Sequence, residues 1–224
     1  KIKSILSSNY PKESIEIFIG TDKCTDKTDE IIQRLSESNR SIKHVKFSER
    51  SGKIKIINSL TEDANGDVLI LTDANVLFTE NTINALLKHF NDPKVGLVDS
   101  NMKNFGMNSS GISIPEKTYI SVEGKLKYAE GKMWGTMMGP FGGCFAMKKE
   151  LYTKIPDTFL VDDFFLNMKG LEKGYYCLNE PDDPTDKDQQ DLKLHAWSLV
   201  EYEKDILKAG EIYCIECKRR AAYR

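Results

Sequence analysis

Two apolar strands that each end in an acidic loop constrain this 224-residue chain more than any other feature. The first strand covers residues 15–20 and leads to Asp22, and the second covers residues 67–72 and leads to Asp73. Runs of β-branched and apolar residues of this length are typical of buried parallel strands. Ligands of open α/β sheets bind at the carboxyl ends of the strands. The sequence therefore predicts a sheet edge with two carboxylates, which can hold sugar hydroxyls, a base edge or a hard cation.

Helices alternate with strands along the first hundred residues. The pattern predicts helices over residues 1–8 and after three start signals, which are Thr25 or Asp26, Ser51-Gly52-Lys53, and Thr79. Further strands are predicted at residues 45–47 and 95–98. This alternation favours a doubly wound sheet. Because such domains usually begin with a strand and this chain begins with a helix, we expect the first strand of the fold to be missing.

The alternation changes after residue 100. We predict a loop over residues 101–115, a helix over 116–132, a strand over 141–147 and a helix over 162–172. Residues 182–191 are almost wholly polar, and residues 196–213 form an amphipathic tail that leads to the basic cluster at 218–220.

Composition excludes several classes of protein. A net charge of -2 argues against a general nucleic-acid-binding surface. The five dispersed cysteines indicate reduced thiols and a cytoplasmic location, and the Cys214-x-x-Cys217 pair alone is a weak metal or redox signal. No apolar run is long enough to span a membrane.

Four segments, in order, resemble the motifs of the family-2 glycosyltransferases. Residues 20–28 resemble the Asp-Gly-Ser-Thr-Asp-Gly-Thr signature, and Asp73-Ala74-Asn75 resembles the Asp-x-Asp loop. Residues 139–146 and Val161-Asp162-Asp163-Phe164 are similar to the acceptor-side glycine segment and the acidic pair that bears the base. Gly174-Tyr175 followed by Glu180-Pro181 resembles the next strand, so the resemblance covers most of residues 1–181.

The resemblance implies a GT-A fold, which is a Rossmann-like, doubly wound, mostly parallel sheet with helices on both faces. It implies a nucleotide-sugar-binding half over residues 1–100, an acceptor and catalytic half over residues 101–181, and a polar loop with a helical tail over residues 182–224. The implied reaction is inverting transfer from a nucleotide-diphosphate sugar, expected to be a UDP-sugar, to a carbohydrate or lipid-linked acceptor. The implied location is the cytoplasm or the cytoplasmic face of a membrane, with any membrane segments outside this chain.

On the donor side, the resemblance implies that Asp22 accepts a hydrogen bond from the uracil ring and that Lys53 reaches the ribose or diphosphate. It assigns Asp73 to the donor ribose or the metal shell and Asn75 to a Mg²⁺ or Mn²⁺ ion. Hard cations of this kind use one or two protein oxygens together with phosphates. Asn75 departs from the family's aspartate and carries no charge. The structural alternatives are an Asx-turn or a capping aspartate for Asp22, a turn for Asn75, and a solvated side chain for Lys53.

On the acceptor side, the acidic pair implies Asp163 as general base with Asp162 in support. The alternative is that the pair caps the helix over residues 162–172. Glycines allow close backbone approach to a sugar, so Gly142 and Gly143 are candidate acceptor residues. Phe141 and Trp134 are candidates for stacking on a sugar face, with packing in the core as the alternative.

Two other functions remain open from the sequence. A nucleotidyltransferase would share the sheet and the acidic metal loop, although no glycine-rich phosphate loop is present near the start. A non-catalytic nucleotide- or carbohydrate-binding module is compatible with Asn75.

Overall fold

A computed structural model describes residues 1–105, 113–180, 197–199 and 215–217, and gives only the backbone for 103–105, 113–121 and the last two segments. Its helices are α1 (Ile2–Leu6), α2 (Thr28–Ser38), α3 (Lys53–Asp63), α4 (Thr82–Leu87), α5 (Ser113–Trp134) and α6 (Asp162–Glu172). Its strands are β1 (Ile15–Asp22), β2 (Ile42–Phe47), β3 (Val68–Thr72), β4 (Val76–Leu77), β5 (Val95–Asp99), β6 (Lys103–Phe105), β7 (Cys144–Lys148), β8 (Tyr176–Asn179), β9 (Trp197–Leu199) and β10 (Ile215–Cys217).

The described strands form a seven-stranded sheet in the order β2-β1-β10-β3-β7-β5-β8. Strands β2, β1, β3, β5 and β8 run in one direction, and β10 and β7 run against them. The predicted mostly parallel sheet is therefore confirmed. A second sheet of three short strands has the order β4-β9-β6.

Helices cover both faces of the large sheet because alternate residues of each strand point to opposite sides. On one face, Ile17 and Ile19 of β1 pack with buried residues of α1, α2 and α4. On the other face, Phe18 packs with buried residues of α3 and α6. The predicted two-faced, doubly wound arrangement is confirmed.

The sheet direction brings three carboxylates to one edge. Strand β1 ends at Asp22, β3 ends one residue before Asp73, and β5 ends at Asp99. Because these strands are parallel, the three residues follow the carboxyl ends of the strands, the edge at which the sequence places the ligand.

Two local predictions were wrong. The predicted loop over residues 101–115 contains β6 and the start of α5, because Pro115 is tolerated in the first turn of a helix. Thr79 does not cap α4; its backbone N–H donates to the hydroxyl of Thr82, the residue at which the helix begins. By contrast, Asp26 does accept the N–H of Thr28 at the start of α2, as predicted.

The predicted helical tail falls mainly on residues outside the described part of the chain, as do the polar segment 182–191 and the basic cluster 218–220. The two segments described there, β9 and β10, are strands, so the helical prediction was wrong for them. Strand β10 pairs with β1 and β3 on its two sides, and such backbone pairing outweighs a local helical pattern.

Candidate active site

Asp22 anchors the loop that precedes α3. Its Oδ1 accepts the backbone N–H of Ser51 at 2.7 Å, and its Oδ2 accepts that of Gly52 at 3.0 Å. Gly52 has φ of 78°, a left-handed conformation that favours glycine. The carboxylate therefore closes a turn between two elements that lie about thirty residues apart. These two hydrogen bonds at the start of α3 fit the structural alternative of a capping aspartate, whereas a local Asx-turn is not what holds Asp22.

Lys53, the first residue of α3, joins two parts of the site. Its Nζ lies 3.5 Å from Oδ1 of Asp73 and 3.2 Å from Oδ1 of Asp162. The side chain is one-third exposed. The alternative of a freely solvated lysine is therefore wrong, because one ammonium group lies between Asp73, which follows β3, and Asp162 of the acidic pair.

Asp73 and Asn75 occupy the turn after β3. The backbone N–H of Asp73 donates to the carbonyl of Gly143, and the N–H of Val76 donates back to the carbonyl of Asp73. Burial raises the pKa of the Asp73 carboxyl above its usual value, and the nearby Lys53 ammonium partly opposes this. Asn75 is exposed at the tip of the turn. Two oxygen-bearing side chains thus share one turn at the sheet edge.

The two residues of the acidic pair at the start of α6 differ in burial and in their partners. Asp162 is 5% exposed and is paired with Lys53. Asp163 is half-buried, and its Oδ1 accepts the N–H of Phe164 at 2.7 Å. Burial raises the pKa of the Asp163 carboxyl, and the negative charge of Asp162 adds to this rise. The N-cap residue of α6, Val161, makes no side-chain capping bond, but Asp163 accepts an N–H of the first turn, so helix capping stays the structural alternative for Asp163.

The glycine segment lies directly against Asp163. A Cβ atom added to Gly142 would lie 2.1 Å from Oδ2 of Asp163, and Gly142 has φ of 91°. A side chain at this position would have to displace the Asp163 carboxylate and to take a backbone conformation that favours glycine. Gly143 connects the same segment to the turn after β3 by accepting hydrogen bonds from the N–H of Asp73 and the hydroxyl of Thr72.

Phe141 and Trp134 lie in different surroundings. Phe141 is half-buried and packs against the hydrophobic core, as the structural alternative predicts. Trp134 ends α5 with 61% of its surface exposed, so a core role for this residue was wrong. The next residue, Gly135, faces the ring of Tyr176, which places this end of α5 beside β8.

Asp99, which the sequence did not single out, contacts the glycine segment of the candidate site. It ends β5 with no exposed surface, and its Oδ2 accepts the N–H of Phe141 at 2.7 Å and the side-chain amide of Asn179 at 3.3 Å. Burial raises the pKa of this carboxyl to about 7. The signal that predicted Asp73, an apolar strand followed by an aspartate, is also present at residues 95–99 and could have found it.

Helix α5 contributes two more contacts to the glycine segment. Lys127, which is buried, donates from Nζ to the carbonyl of Gly139 and lies 3.4 Å from Glu123. Glu130 accepts the N–H of Met138 at 3.0 Å. The segment 138–143 is thus held by side chains from β5 and α5. Spacing in the sequence gives no signal for these long-range contacts.

Three further observations on the described part of the chain concern metals, thiols and membrane spans. No group of three or more His, Cys, Asp or Glu side chains there could hold a metal ion. Among the described residues, Cys24, Cys144 and Cys177 form no disulfide. None of the helices among the described residues is both long enough and apolar enough to cross a membrane.

Comparison with known proteins places this geometry in a family. Residues 1–155 match the family described as glycosyl transferase family 2. The chain is 28% identical to the poly-beta-1,6-N-acetyl-D-glucosamine synthase of Staphylococcus aureus over 188 aligned residues. The alignment covers 80% of this chain and 44% of that protein. The chain therefore spans less than half the length of this relative.

Two solved structures share the fold. The mannosyltransferase PcManGT from Pyrobaculum calidifontis, in complex with GDP-Man and Mn²⁺, is 25% identical with a TM-score of 0.67, over 81% of this chain and 50% of that one. Residues 1–349 of S. aureus TarS, in complex with UDP-GlcNAc, are 14% identical with a TM-score of 0.59, over 100% of this chain and 56% of that one. With the family match, these neighbours confirm the predicted GT-A fold.

Proposed function

Because the chain belongs to glycosyl transferase family 2, we propose that it transfers a sugar from a nucleotide-diphosphate sugar to a hydroxyl acceptor. The observation that carries this proposal is the position of Lys53, whose ammonium group bridges Asp73 and Asp162. The ammonium group of Lys53 thereby links the turn after β3 to the acidic pair of α6. Donor cleavage and acceptor activation need these two sets of groups within reach of one reacting carbon.

The proposed donor site uses Asp22, Lys53 and Asp73. Asp22 accepts the two N–H groups before α3 and leaves the remaining lone pairs of its carboxylate for the base of the nucleotide. Lys53 offers positive charge to the diphosphate. Two fold neighbours bind GDP-Man and UDP-GlcNAc respectively, which supports a nucleotide sugar as the donor class. We propose a UDP-sugar.

Asp73 and Asn75 would hold Mg²⁺ or Mn²⁺. Both present oxygen donors on one accessible turn, which fits a hard cation that takes one or two protein ligands and completes its shell with phosphate oxygens and water. When bound, such a cation offsets the charge that grows on the leaving diphosphate. The Mn²⁺ in the PcManGT structure supports divalent metal use in this fold. Asn75 supplies an uncharged oxygen in place of a carboxylate.

Asp163 is the proposed general base. It takes the proton of the acceptor hydroxyl as that oxygen forms a bond to the anomeric carbon. The bond from the anomeric carbon to the diphosphate breaks, its electron pair leaves with the diphosphate, and the configuration of the carbon inverts. Asp162, paired with Lys53, supports the geometry. The raised pKa of Asp163 suits a base that must hold a proton during transfer.

Gly142 and Gly143 would line the acceptor side, because the first contacts Asp163 and the second contacts the turn of Asp73. Phe141 would stack on a sugar face from a half-buried position. The exposed ring of Trp134 would stack on a sugar of a longer acceptor. The acceptor is proposed as a carbohydrate or a lipid-linked hydroxyl. We propose the cytoplasm or the cytoplasmic face of a membrane as the location.

The test is turnover by the full-length protein with a panel of UDP- and GDP-sugars, with and without Mn²⁺. We expect release of nucleoside diphosphate that depends on metal and on acceptor. Asp163→Asn serves as the inactive control, and Asp157→Asn, an exposed aspartate paired loosely with Lys55, serves as the matched surface control. Binding of a nucleotide sugar without any turnover would leave a binding module and would overturn the proposal.

The metal site has its own test. Asn75→Asp should tighten Mn²⁺ binding in the presence of UDP, because it adds charge with little change in size. A calorimetric metal titration measures this. Unchanged or weaker binding would exclude Asn75 from the metal shell.

A further inference from the structure

Asp99 is a buried carboxylate that the proposed chemistry does not use. It has no exposed surface, yet its Oδ1 has no hydrogen-bond partner among the described residues. Its Oδ2 accepts the N–H of Phe141 and the side-chain amide of Asn179, and its backbone carbonyl accepts the N–H of Glu180. One residue therefore connects β5, the glycine segment and the end of β8. A buried carboxylate is costly, so this position calls for an explanation beyond packing.

The contact with Phe141 leads directly to the proposed base. Phe141 precedes Gly142, and the backbone of Gly142 lies against Oδ2 of Asp163. We propose that Asp99 is a positioning residue for sugar transfer, whose carboxylate fixes the glycine segment against Asp163 through the N–H of Phe141. This inference rests on the proposed function of the site.

Charge gives this contact a dependence on pH. Burial raises the pKa of Asp99 to about 7, and the charged or titratable groups facing it are Lys127 of α5, Asp163 of α6 and Cys144 of β7. Asn179 and the N–H of Phe141 oppose the rise. Hydrogen bonds to an ionised acceptor are roughly twice as strong as those to a neutral one. The glycine segment is therefore held more firmly above pH 7 than below it.

Asp99→Asn tests the proposal because the amide keeps the shape and removes the ionisation. We expect the variant to match the wild type near pH 5.5, where Asp99 is protonated, and to transfer sugar about tenfold more slowly near pH 8.5. The wild-type rate should rise through a step near pH 7 that the variant lacks. The dissociation constant of the nucleotide sugar should not change. The surface variant Asp157→Asn should keep the wild-type profile.

A second variant covers the case in which Asp99→Asn does not fold. Asn179→Ala removes a donor that lowers the pKa of Asp99, so the step should move to higher pH. A third measurement needs no activity. The amide resonance of Phe141 should titrate near pH 7 in the wild type and not in Asp99→Asn, whether or not the protein transfers sugar.

These outcomes separate the two proposals. A titrating Phe141 amide in a protein without turnover supports the contact and overturns the proposed function. Turnover with the same pH profile in the wild type and both variants overturns the positioning role and leaves the proposed function intact. Loss of donor affinity and of thermal stability in parallel with activity would assign Asp99 a merely structural role.

Discussion

Asp22 and Asp99 both end a parallel strand and both accept a backbone N–H, yet their environments are opposite. Asp22 is partly exposed and uses both oxygens, each with one N–H of the loop before α3. Asp99 has no exposed surface and uses only one oxygen, while the other lacks a partner among the described residues. The proposed donor edge thus holds a carboxylate with both oxygens hydrogen-bonded, and the proposed acceptor side holds one whose charge is costly to maintain.

The same division separates the two residues of the acidic pair. Lys53 lies next to Asp162 and Asp73, but no ion pair within the described residues reaches Asp163. Burial therefore acts on Asp163 with less compensation, and the pKa of its carboxyl rises. On the proposed donor side a lysine ammonium lies within 4 Å of Asp73, whereas Asp99 and Asp163, on the proposed acceptor side, have no such ion pair among the described residues and their pKa values are raised mainly by burial.

The largest effect we predict is the loss of sugar transfer when Asp163 of the acidic pair is replaced. Asp163→Asn should leave folding and donor binding intact and reduce transfer by about 10²–10⁴-fold, because the amide cannot accept the proton. Asp162→Asn should cost less, since its role is to hold Lys53. Steady-state transfer rates of the full-length protein measure both. Near-normal transfer by both variants would remove the catalytic role of the pair.

Sequence reasoning worked best where the signal was local. The strands that end near Asp22 and Asp73 follow from short apolar runs, and the helix predicted over residues 162–172 has those bounds in the structure. The contact of Lys53 with Asp73 joins residues 20 positions apart in the sequence. The contact of Asp99 with Phe141 joins residues 42 positions apart. No periodicity encodes such contacts, because tertiary packing decides them. The roles assigned to individual site residues remain predictions.

The second prediction tests the cost of the buried carboxylate. The pKa of Asp99 is about 7 when folded and near 3.8 when unfolded, so the folded state keeps a proton that the unfolded state loses between these values. Stability should therefore fall as pH rises from about 4 to 7, by up to about 1.4 kcal/mol per pH unit from this group. Asp99→Asn should remove this part of the slope. Urea unfolding of both proteins across this range measures the difference, and parallel curves would contradict it.

The third prediction concerns the contact between the glycine segment and the base. Gly142→Ala should destabilise the fold by about 1–2 kcal/mol through its positive φ and by about 1–3 kcal/mol more through overpacking, and it should slow transfer because the new Cβ would displace Asp163. Gly174→Ala is the matched control, since Gly174 also has positive φ, of 80°, but no atom lies within 4 Å of the added Cβ. The control should show only the backbone cost of about 1–2 kcal/mol. Equal losses of stability and activity in both variants would exclude a specific role for the contact.

The smallest expected effect lies on the donor edge. Asp22→Asn keeps one acceptor oxygen but turns an amide N–H₂ group toward a second backbone N–H, so one of two hydrogen bonds is lost. We expect a loss of about 1 kcal/mol in unfolding free energy, because the site is partly exposed. The free energy of UDP binding should fall by more than this, since the same carboxylate is proposed to bind the base of the nucleotide.

Asp26→Asn is the control, because Asp26 also accepts a backbone N–H at a helix start and has no proposed role in binding the donor. Calorimetry with UDP compares the three proteins. If Asp22→Asn binds UDP with unchanged affinity, Asp22 only holds the loop before α3. Asp22 and Asp99 would then differ in structural environment and not in a donor-binding function.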